Sequence, residues 1–555
     1  MESVWENGKS SHRPLYNFGR ADLIKKDKGF LNMVKRLCEI AEVEIKDAGS
    51  GEKPFAHDCT EAVFYNYGYL AYLRLWEELG IGPTLEDLQK GTKIKYSLSK
   101  AAFLMAAQHL LDPMSKLSTF SRQSRYFNMD ETPLHILYRA LDALSKWKED
   151  IESEMFEHNY VRANKKVDVV FYDVTTFAFE SVTADSLKDF GYSKDCKFNE
   201  MQVVLGMAID SDGLPVGYEL FPGDTFDGNT MADALSNIKR RFGIRRVVIV
   251  ADRGLNSKLN LKHIEGAGYG YVMSSKIKGM NAAMKAKILG GGGFTVVYGG
   301  DGGEDFRYKT IEYVNEVKDD KGEAHLLHEN LVITYSERRA AKDRKDRERL
   351  VAKAKSMLEH PDKINASNKR GGKKYIAQVK PNGQAEWKLA VDRIKSDEAF
   401  DGYYGIQTSE TEMAATDVID AYHSLWKIEE SFRVMKSTME VRPIFHWTPK
   451  RIEGHFVVCF LAFLMERTME NLLKSEKDGV LSSPTRIQEA LNTMQLAGVR
   501  VDNKDLFIKA KADPLSSKIF KRLKMKLPSN INTKLELIEL YDLNVKTMPL
   551  QMEFK

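Results

Sequence analysis

Cysteine is scarce in this sequence. Only four occur among 555 residues, at positions 38, 59, 196 and 459, and no two of them form a CxxC pair. Structural zinc sites and disulfide frameworks both need closely or regularly spaced cysteines. The scarcity therefore excludes a zinc ribbon and a disulfide-stapled secreted fold, and it predicts a protein of the reducing cytoplasm.

Long apolar segments are also missing. The longest run, FVVCFLAFLM at residues 456–465, is far shorter than the ~20 apolar residues that a membrane-spanning helix needs. The first residues, MESVW, lack the basic start and apolar core of a secretory signal. We therefore predict a cytoplasmic protein with no membrane partner.

A large overall excess of one charge is missing too, since the formal net charge is only +4. Basic residues are concentrated locally, because residues 337–380 contain 15 Lys and Arg against 6 Asp and Glu, a surplus of nine. The first part of this basic run, ERRAAKDRKDRERLVAKAKSMLEH, has a helix-forming composition. Two interpretations remain open: a solvated helix face, or a surface that follows the phosphate backbone of DNA.

The chain length predicts three or four domains, and the first of them is helical. Apolar residues recur at helical spacing in residues 85–89, 99–111 and 133–154. No helix-turn-helix signature is recognisable. We predict that residues 1–160 form a helical N-terminal accessory domain that binds DNA.

From residue 167 onward the apolar period becomes that of strands. The segment VDVVFYDVTTFAFES is typical of a buried strand, and Asp173 interrupts it. Residues 201–224 predict a hairpin with an Asp-Gly turn, residues 231–242 a helix, and residues 245–254 a buried strand that ends in Asp252. This order predicts an α/β fold with a ribonuclease-H-like sheet.

Residues 280–399 interrupt that pattern with strand-like segments and the basic run. The glycines at 290–293 lack the Lys-Ser/Thr ending of a phosphate-binding loop, so they predict a flexible turn. A strand at residues 401–409 resumes the core. We predict four domains, listed here by residue number: the helical N-terminal domain 1–160, a ribonuclease-H-like catalytic core 161–279 and 400–465, a β-rich insertion domain 280–399, and a helical C-terminal domain 466–555.

Residues 417–442, DVIDAYHSLWKIEESFRVMKSTMEVR, predict one continuous helix. At ~100° of rotation per residue, four polar side chains fall within about 40° of one line: Tyr422, Glu429, Arg433 and Lys436. The opposite side is mostly apolar. An amphipathic surface helix with charge pairs one turn apart would show the same pattern, so both interpretations stay open here.

Three carboxylates are predicted to converge: Asp173 and Asp252 from the two buried strands, and Glu429 from the helix that returns to the sheet. A buried carboxylate is costly unless it is paired or binds a cation. Oxygen-only ligands select hard cations such as Mg²⁺, and two such ions promote phosphodiester displacement. Each acid alone fits a solvated or salt-bridged carboxylate, whereas the combination predicts a metal site.

The sequence resembles the insertion-sequence transposases that carry a DDE triad and a Y-x2-R-x3-E-x6-K signature. The resemblance runs through FYDVTTFAFES, GYSKD, QVVLGMAIDSDGLPVGYELFPGDTFD, VVIVADRGLNS and YHSLWKIEESFRVMKSTMEVRPIFHW, and it covers residues 167–463. It implies three metal ligands: Asp173, Asp252 and Glu429. They would bind Mg²⁺, with Mn²⁺ as a substitute. Four DNA-binding residues are predicted beside them: Tyr422, Lys436, Arg433 and Arg253.

Two positions depart from the family pattern. Leu425 stands at the place of the signature arginine, and Asp224 stands where an asparagine is usual. We predict that Leu425 packs while Arg433, with Lys436, supplies the cationic clamp on a phosphate. The alternative is that Arg433 pairs with Glu430 or Glu440 on the surface.

The resemblance implies cut-and-paste transposition on double-stranded DNA, with the terminal inverted repeats and the target DNA as partners. Because two inverted ends must be brought together, a homodimer is expected, acting at the nucleoid. Two other hypotheses remain: an inactive DNA-binding protein derived from such an enzyme, and a ribonuclease-H-like nuclease without strand transfer.

Overall fold

The structure is a computed structural model that forms two compact units, described here one at a time. The helical unit comprises Met1–Lys148, Ser437–Val441 and Lys450–Lys555, and the sheet unit comprises Glu149–Lys436 and Arg442–Pro449. The residues that the structure describes are 2–6, 9–13, 33–37, 63–179, 184–191, 200–225, 230–242, 247–298, 305–318, 323–360, 364, 371–379, 386–442, 444, 446–474, 482–501 and 504–546.

The strands, in chain order, are β1 (Glu2–Glu6), β2 (Lys9–Arg13), β3 (Val63–Asn66), β4 (Val169–Ala178), β5 (Gln202–Ile209), β6 (Pro215–Pro222), β7 (Val248–Ala251), β8 (Gly270–Ser274), β9 (Thr295–Val297), β10 (Phe306–Lys318), β11 (Ala324–Tyr335), β12 (Ile376–Val379), β13 (Glu386–Leu389), β14 (Tyr403–Thr408), β15 (Gln495–Val501), β16 (Lys504–Lys509) and β17 (Ile531–Thr533).

The helices are α1 (Leu70–Glu78), α2 (Ile81–Gln89), α3 (Leu98–Leu111), α4 (Lys116–Arg122), α5 (Leu134–Lys146), α6 (Lys148–Phe156), α7 (Thr230–Phe242), α8 (Lys258–Gly266), α9 (Ala282–Leu289), α10 (Glu337–Leu358), α11 (Val391–Glu398), α12 (Ala415–His423), α13 (Trp426–Ser437), α14 (Pro449–Lys474), α15 (Pro484–Asn492), α16 (Pro514–Arg522) and α17 (Lys534–Lys546). Within the described residues, no helix is both long and apolar enough to cross a bilayer.

The helical unit is built around α14, which is buried along most of its length. Close approach to α5 depends on Gly454, because a Cβ there would lie 2.1 Å from the Leu141 carbonyl oxygen. Ser145 Oγ donates to Glu453 at 2.6 Å across the same helix pair. The unit also contains a four-stranded antiparallel sheet in the order β17-β16-β15-β3.

The sheet unit contains one nine-stranded sheet in the order β6-β5-β4-β7-β8-β14-β11-β10-β9. Strands β4, β5 and β6 pair antiparallel, while β7 pairs parallel with both β4 and β8. The five strands β4 to β8 lie side by side in the order β6-β5-β4-β7-β8. If these strands are numbered one to five along the chain, their order in the sheet is 3-2-1-4-5. This mixed sheet confirms the predicted α/β fold class with a ribonuclease-H-like core.

The two faces of the central strands differ in what they contact. The main core of the sheet unit contains Val170 and Tyr172 of β4, and Ile249 and Ala251 of β7, together with residues of α7 and α8. Because successive side chains of a strand point to opposite faces, Asp173 lies on the other face. Helix α12 packs against β7, β8 and β14.

The predicted strands of the core are confirmed by β4, β5, β6 and β7, and the predicted helices of the first 160 residues by α2, α3, α5 and α6. The Asp-Gly turn between β5 and β6 contains Gly213 with a φ of 81°, which favours glycine. Strands β9, β10 and β11 of residues 280–399 join the same sheet as the core, through the pairing of β11 with β14. The domain boundaries stay a prediction.

The continuous helix predicted for residues 417–442 is wrong. Backbone hydrogen bonds tighten to the i−3 pattern at Leu425, Lys427 and Ile428, and α12 and α13 are separate helices. Each residue of such a turn rotates by ~120° instead of ~100°, so Tyr422 does not share one helical line with Glu429. Helix α13 also ends earlier than predicted, at Ser437.

Strands β15, β16 and β17 were not predicted, because only helices were assigned to the C-terminal residues. These strands are short, and β15 (QLAGVRV) contains an alanine and a glycine that weaken the strand pattern. Strand β15 pairs with β3, which lies more than 400 residues earlier in the sequence. A local pattern could not have revealed that pairing.

The buried acid Glu466 of α14 generates a stability prediction. Tyr72 Oη donates to Glu466 Oε2 at 2.5 Å, and burial, then the charge of Glu470, raise the pKa of Glu466 to about 8. The folded state therefore holds this proton more tightly than the unfolded state, so stability is lost as pH rises from the ordinary value of 4.5 through about 8.

We expect Glu466→Gln to reduce that pH-dependent loss. The measurement is the urea midpoint of wild type and variant at pH 5 and at pH 8.5. The midpoint of the variant should fall less between the two pH values than that of the wild type. An equal or larger fall in the variant would contradict the role assigned to Glu466.

Candidate active site

Asp173 and Asp252 are brought side by side by the register of β4 and β7. The two strands are parallel, and Tyr172 pairs with Ala251 at the end of the ladder. Asp173 and Asp252 are the next residues of the two segments, and neighbouring strands lie ~4.8 Å apart. The sheet therefore carries two adjacent carboxylates at the C-terminal end of β7, on the face opposite its main core.

Glu429 lies in the first turn of α13, and both ends of this helix contact the sheet. Lys427 Nζ donates to the Ser211 carbonyl oxygen in the β5–β6 turn at 2.6 Å. Lys436 Nζ lies 5.5 Å from the centre of the Phe177 ring. Phe177 is four residues after Asp173 in β4 and therefore on the same face. Helix α13 thus lies on the face that carries Asp173, with Glu429 exposed between the two contacts.

The three carboxylates do not meet at one point. The Glu429 side chain forms no hydrogen bond or ion pair with another described residue, so no polar contact within the described part of the chain restrains it. Among the described residues, one cluster brings three possible metal-ligand atoms of His, Cys, Asp or Glu within 4.8 Å of one another. This cluster is His109, His455 and Cys459 of the helical unit. Lys116 Nζ already lies 3.1 Å from His109 Nε2 there, and the group does not contain the predicted oxygen ligands.

Two tyrosines adjoin Asp252. The pairing of Ala251 with Met273 makes Ser274 the neighbour of Asp252 on the next strand. The Tyr404 hydroxyl donates its hydrogen to Ser274 Oγ at 2.6 Å. The hydroxyl oxygens of Tyr404 and Tyr422 lie 2.5 Å apart. Because the Tyr404 hydrogen is already used, Tyr422 is the donor in this second bond. Burial, the contact with Tyr404 and the charge of Asp252 hold the pKa of Tyr422 above its usual range.

Tyr404 and Ser274 were missed by the sequence analysis. The contact joins residues of β8, β14 and α12, and no spacing in the sequence indicates it. Predicting it would have required the order of β7, β8 and β14 in the sheet, because that order places Tyr404 within reach of Tyr422.

The other predicted DNA-binding residues lie around the same face. Arg253 follows Asp252 and is exposed, and its side chain forms no hydrogen bond or ion pair with a described residue. Arg433 is exposed, and its Nη2 lies 3.5 Å from Glu430 Oε1, which is the surface pairing of the alternative interpretation. Leu425 is only 6% exposed and packs, as predicted.

The strand order defines a class of protein, those with a ribonuclease-H-like sheet, and the two aspartates lie side by side at the C-terminal end of β7 in the middle of that sheet. The family described as "Transposase DDE domain" matches residues 165–465, which is more than half of the chain. The chain therefore belongs to this family of transposases. The match spans all three predicted acids.

Two solved structures are similar to the chain at a low level. A cryo-EM structure of the piggyBac transposase synaptic complex with hairpin DNA has a TM-score of 0.38 and 10% identity, and the match covers 89% of each chain. The Mos1 transposase paired-end complex with the left transposon end has a TM-score of 0.15 and 14% identity over 36% of this chain and 63% of that chain. No curated protein matches the sequence.

Proposed function

We propose that this protein is a DNA transposase that cuts at the ends of an insertion sequence and joins them to target DNA. The supporting observation is the β4–β7 register, which makes Asp173 and Asp252 neighbours on the face where α13 carries Glu429. Cutting would be phosphodiester hydrolysis, and joining would be attack by the freed 3′-hydroxyl. We also infer membership of the Y-R-E-K signature group, from Tyr422, Glu429 and Lys436.

The acids fit a hard divalent cation, because all the donors are carboxylate oxygens and two of them are exposed. Asp173, Asp252 and Glu429 would hold Mg²⁺ or Mn²⁺, which supplies an activated attacking oxygen and stabilises the leaving oxygen. The three side chains themselves would hold and orient the ion. The exposed, unrestrained Glu429 is the member whose rotation would complete the site.

The substrate that fits this surface is double-stranded DNA. Helix α10 begins the basic run, and its cations Arg344 and Lys345 are exposed without a hydrogen bond or ion pair to a described residue. Cations that lack carboxylate partners can neutralise backbone phosphates and release counterions. The terminal inverted repeats and the target DNA are the proposed partners, at the nucleoid, and pairing two inverted ends would require a homodimer.

Removing any one of the three acids should abolish cleavage. We expect Asp173→Ala, Asp252→Ala and Glu429→Ala each to lower the Mg²⁺-dependent cleavage rate by more than about 100-fold, which exceeds the cost of losing a supporting contact. DNA binding should be largely spared, because phosphate contacts elsewhere supply most of the affinity. The substrate is DNA that flanks the protein's own coding sequence, and nicks and joined products are scored on gels.

Asp420→Ala is the matched control, because Asp420 is an exposed acid on α12 outside this site. It should cleave like the wild type. Mg²⁺-dependent cleavage by any of the three variants would remove that residue from the metal site. Nicks without joined products in the wild type would favour a nuclease without strand transfer, and binding without nicks would favour an inactive DNA-binding protein.

Neutralising cations in the basic run should flatten the salt dependence of DNA binding. For the double variant Arg344→Gln/Lys345→Gln, we expect the log-log slope of affinity against salt to fall by roughly two, one for each lost phosphate contact. The control is Lys287→Gln/Lys395→Gln, which removes two exposed cations outside the run. The slope of this control should equal that of the wild type. An unchanged slope for Arg344→Gln/Lys345→Gln would favour the other interpretation, in which the basic run is a solvated helix face.

Arg433 tests the predicted cationic clamp. If its guanidinium leaves Glu430 to bind a phosphate, Arg433→Ala should slow cleavage about tenfold or more at saturating DNA, as expected for loss of a charge-assisted contact. Leu425→Ala should instead lower stability, by about 2 kcal/mol or more, because it empties a buried site. A fully active Arg433→Ala protein would exclude the clamp.

A further inference from the structure

A cavity of about 640 Å³ lies in the sheet unit, between the start of α10 and the tyrosines beside Asp252. Its cationic lining residues are Arg338, Arg339 and Lys342, and its aromatic ones are Phe306, Tyr335, Tyr404, Tyr422 and His423. The described residues that line it include no aspartate or glutamate. A concave site with cationic and aromatic walls and no carboxylate is suited to an anionic organic ligand.

Two of the three cations have side chains without a polar partner among the described residues. Arg338 and Lys342 are exposed, one helical turn apart on α10, and neither forms a hydrogen bond or an ion pair with a described residue. Residues at this spacing lie on the same side of a helix. Their charges are therefore directed to the same region, and no carboxylate of the described residues pairs with them.

The third cation, Arg339, contacts other residues of the sheet unit. The Arg339 guanidinium lies 4.2 Å from the centre of the Tyr404 ring, and its Nε lies 3.7 Å from Asp343 Oδ2. Tyr404 in turn contacts Tyr422 and Ser274. Arg339 thus positions Tyr404, and the cavity wall is continuous with the hydroxyl network that adjoins Asp252.

Arg338 and Lys342 could replace the signature arginine, whose place in the sequence is occupied by Leu425. Leucine 425 is buried and cannot donate to a phosphate, and Arg433 pairs with Glu430 on the exposed side of α13. Arg338 and Lys342 come from a different element, and they line the same cavity as Tyr422. The phosphate contact of the signature can therefore be supplied by α10.

We propose that this cavity binds one backbone phosphate, with its sugar, of the DNA strand cut at the carboxylate site. Arg338 and Lys342 contact the phosphate directly, and Arg339 is a positioning residue that acts through Tyr404. A volume of this size exceeds the needs of a phosphate alone, and the rings of Phe306 and Tyr335 form apolar walls for the sugar. The inference rests on the proposed function, since it names a contact of the same site.

The test combines protein variants with DNA in which one phosphate at a time is a neutral methylphosphonate. Single-turnover cleavage of DNA that flanks the coding sequence is measured at saturating protein, so that rate is separated from affinity. In the wild type we expect one methylphosphonate near the cut to slow cleavage roughly 10- to 100-fold, as for one charge-assisted contact. Arg338→Gln/Lys342→Gln should slow cleavage of unmodified DNA by a similar factor.

At that one position the double variant and the methylphosphonate should not be additive, because both remove the same contact. At other positions the two effects should multiply. The charge-preserving variant Arg338→Lys/Lys342→Arg should keep most of the rate, which distinguishes a phosphate contact from a folding defect. Lys287→Gln/Lys395→Gln, which removes two exposed cations away from the cavity, should show the wild-type pattern.

Multiplicative effects at every phosphate would overturn the inference, and so would a double variant that cleaves unmodified DNA at the wild-type rate. In both cases the wild type still cleaves, so the proposed function survives. If the wild type shows no metal-dependent cleavage of unmodified DNA, the proposed function fails and the inference fails with it.

Discussion

The parallel pairing of β4 with β7 is the constraint on which the rest of the site depends. The register is fixed by burial on the opposite face, where Val170 and Tyr172 pack with Ile249 and Ala251 in one core. A slip of one residue would move these apolar side chains to the other face and Asp173 into the core. The core that stabilises the sheet therefore also sets the position of Asp173 in β4 and that of Asp252 directly after the end of β7.

The sheet around this pairing could be predicted from the sequence, because each of its signals is local. Strand β4 is a β-branched and aromatic run, and the β5–β6 hairpin has an Asp-Gly turn, so period and turn chemistry were sufficient. Asp173 and Asp252 were noticed because a carboxylate at a buried strand is unusual. Their adjacency needed only the strand order, which the ribonuclease-H-like pattern supplies.

What could not be predicted depends on tertiary contacts. The break between α12 and α13 is a change of hydrogen-bond pattern at Leu425, a residue with good helix propensity, and it coincides with burial of that side chain. The contact of Tyr404 with Tyr422 requires three separate elements to meet. Strand β15 pairs with β3 across the length of the chain, and no local period reveals such a partner.

The break also changes how charge is distributed around the acids. A continuous helix would have placed Tyr422, Glu429, Arg433 and Lys436 on one face, as a complete cationic site on one element. In the structure α12 carries Tyr422 beside Asp252, and α13 carries Glu429 and Lys436 over β4. Helix α10 brings Arg338 and Lys342 to the cavity that Tyr422 lines. The site is thus assembled from several elements of one sheet unit.

The central claim is that Asp173, Asp252 and Glu429 hold one metal centre, and metal-directed cleavage of the polypeptide tests it most directly. Fe²⁺ substituted for Mg²⁺, with ascorbate and peroxide, cuts the backbone next to the bound ion. The account predicts fragments that end near all three acids, suppressed by excess Mg²⁺ and lost in Asp173→Ala. Cuts confined to the neighbourhood of His109, His455 and Cys459, or cuts that Asp173→Ala leaves unchanged, would contradict it.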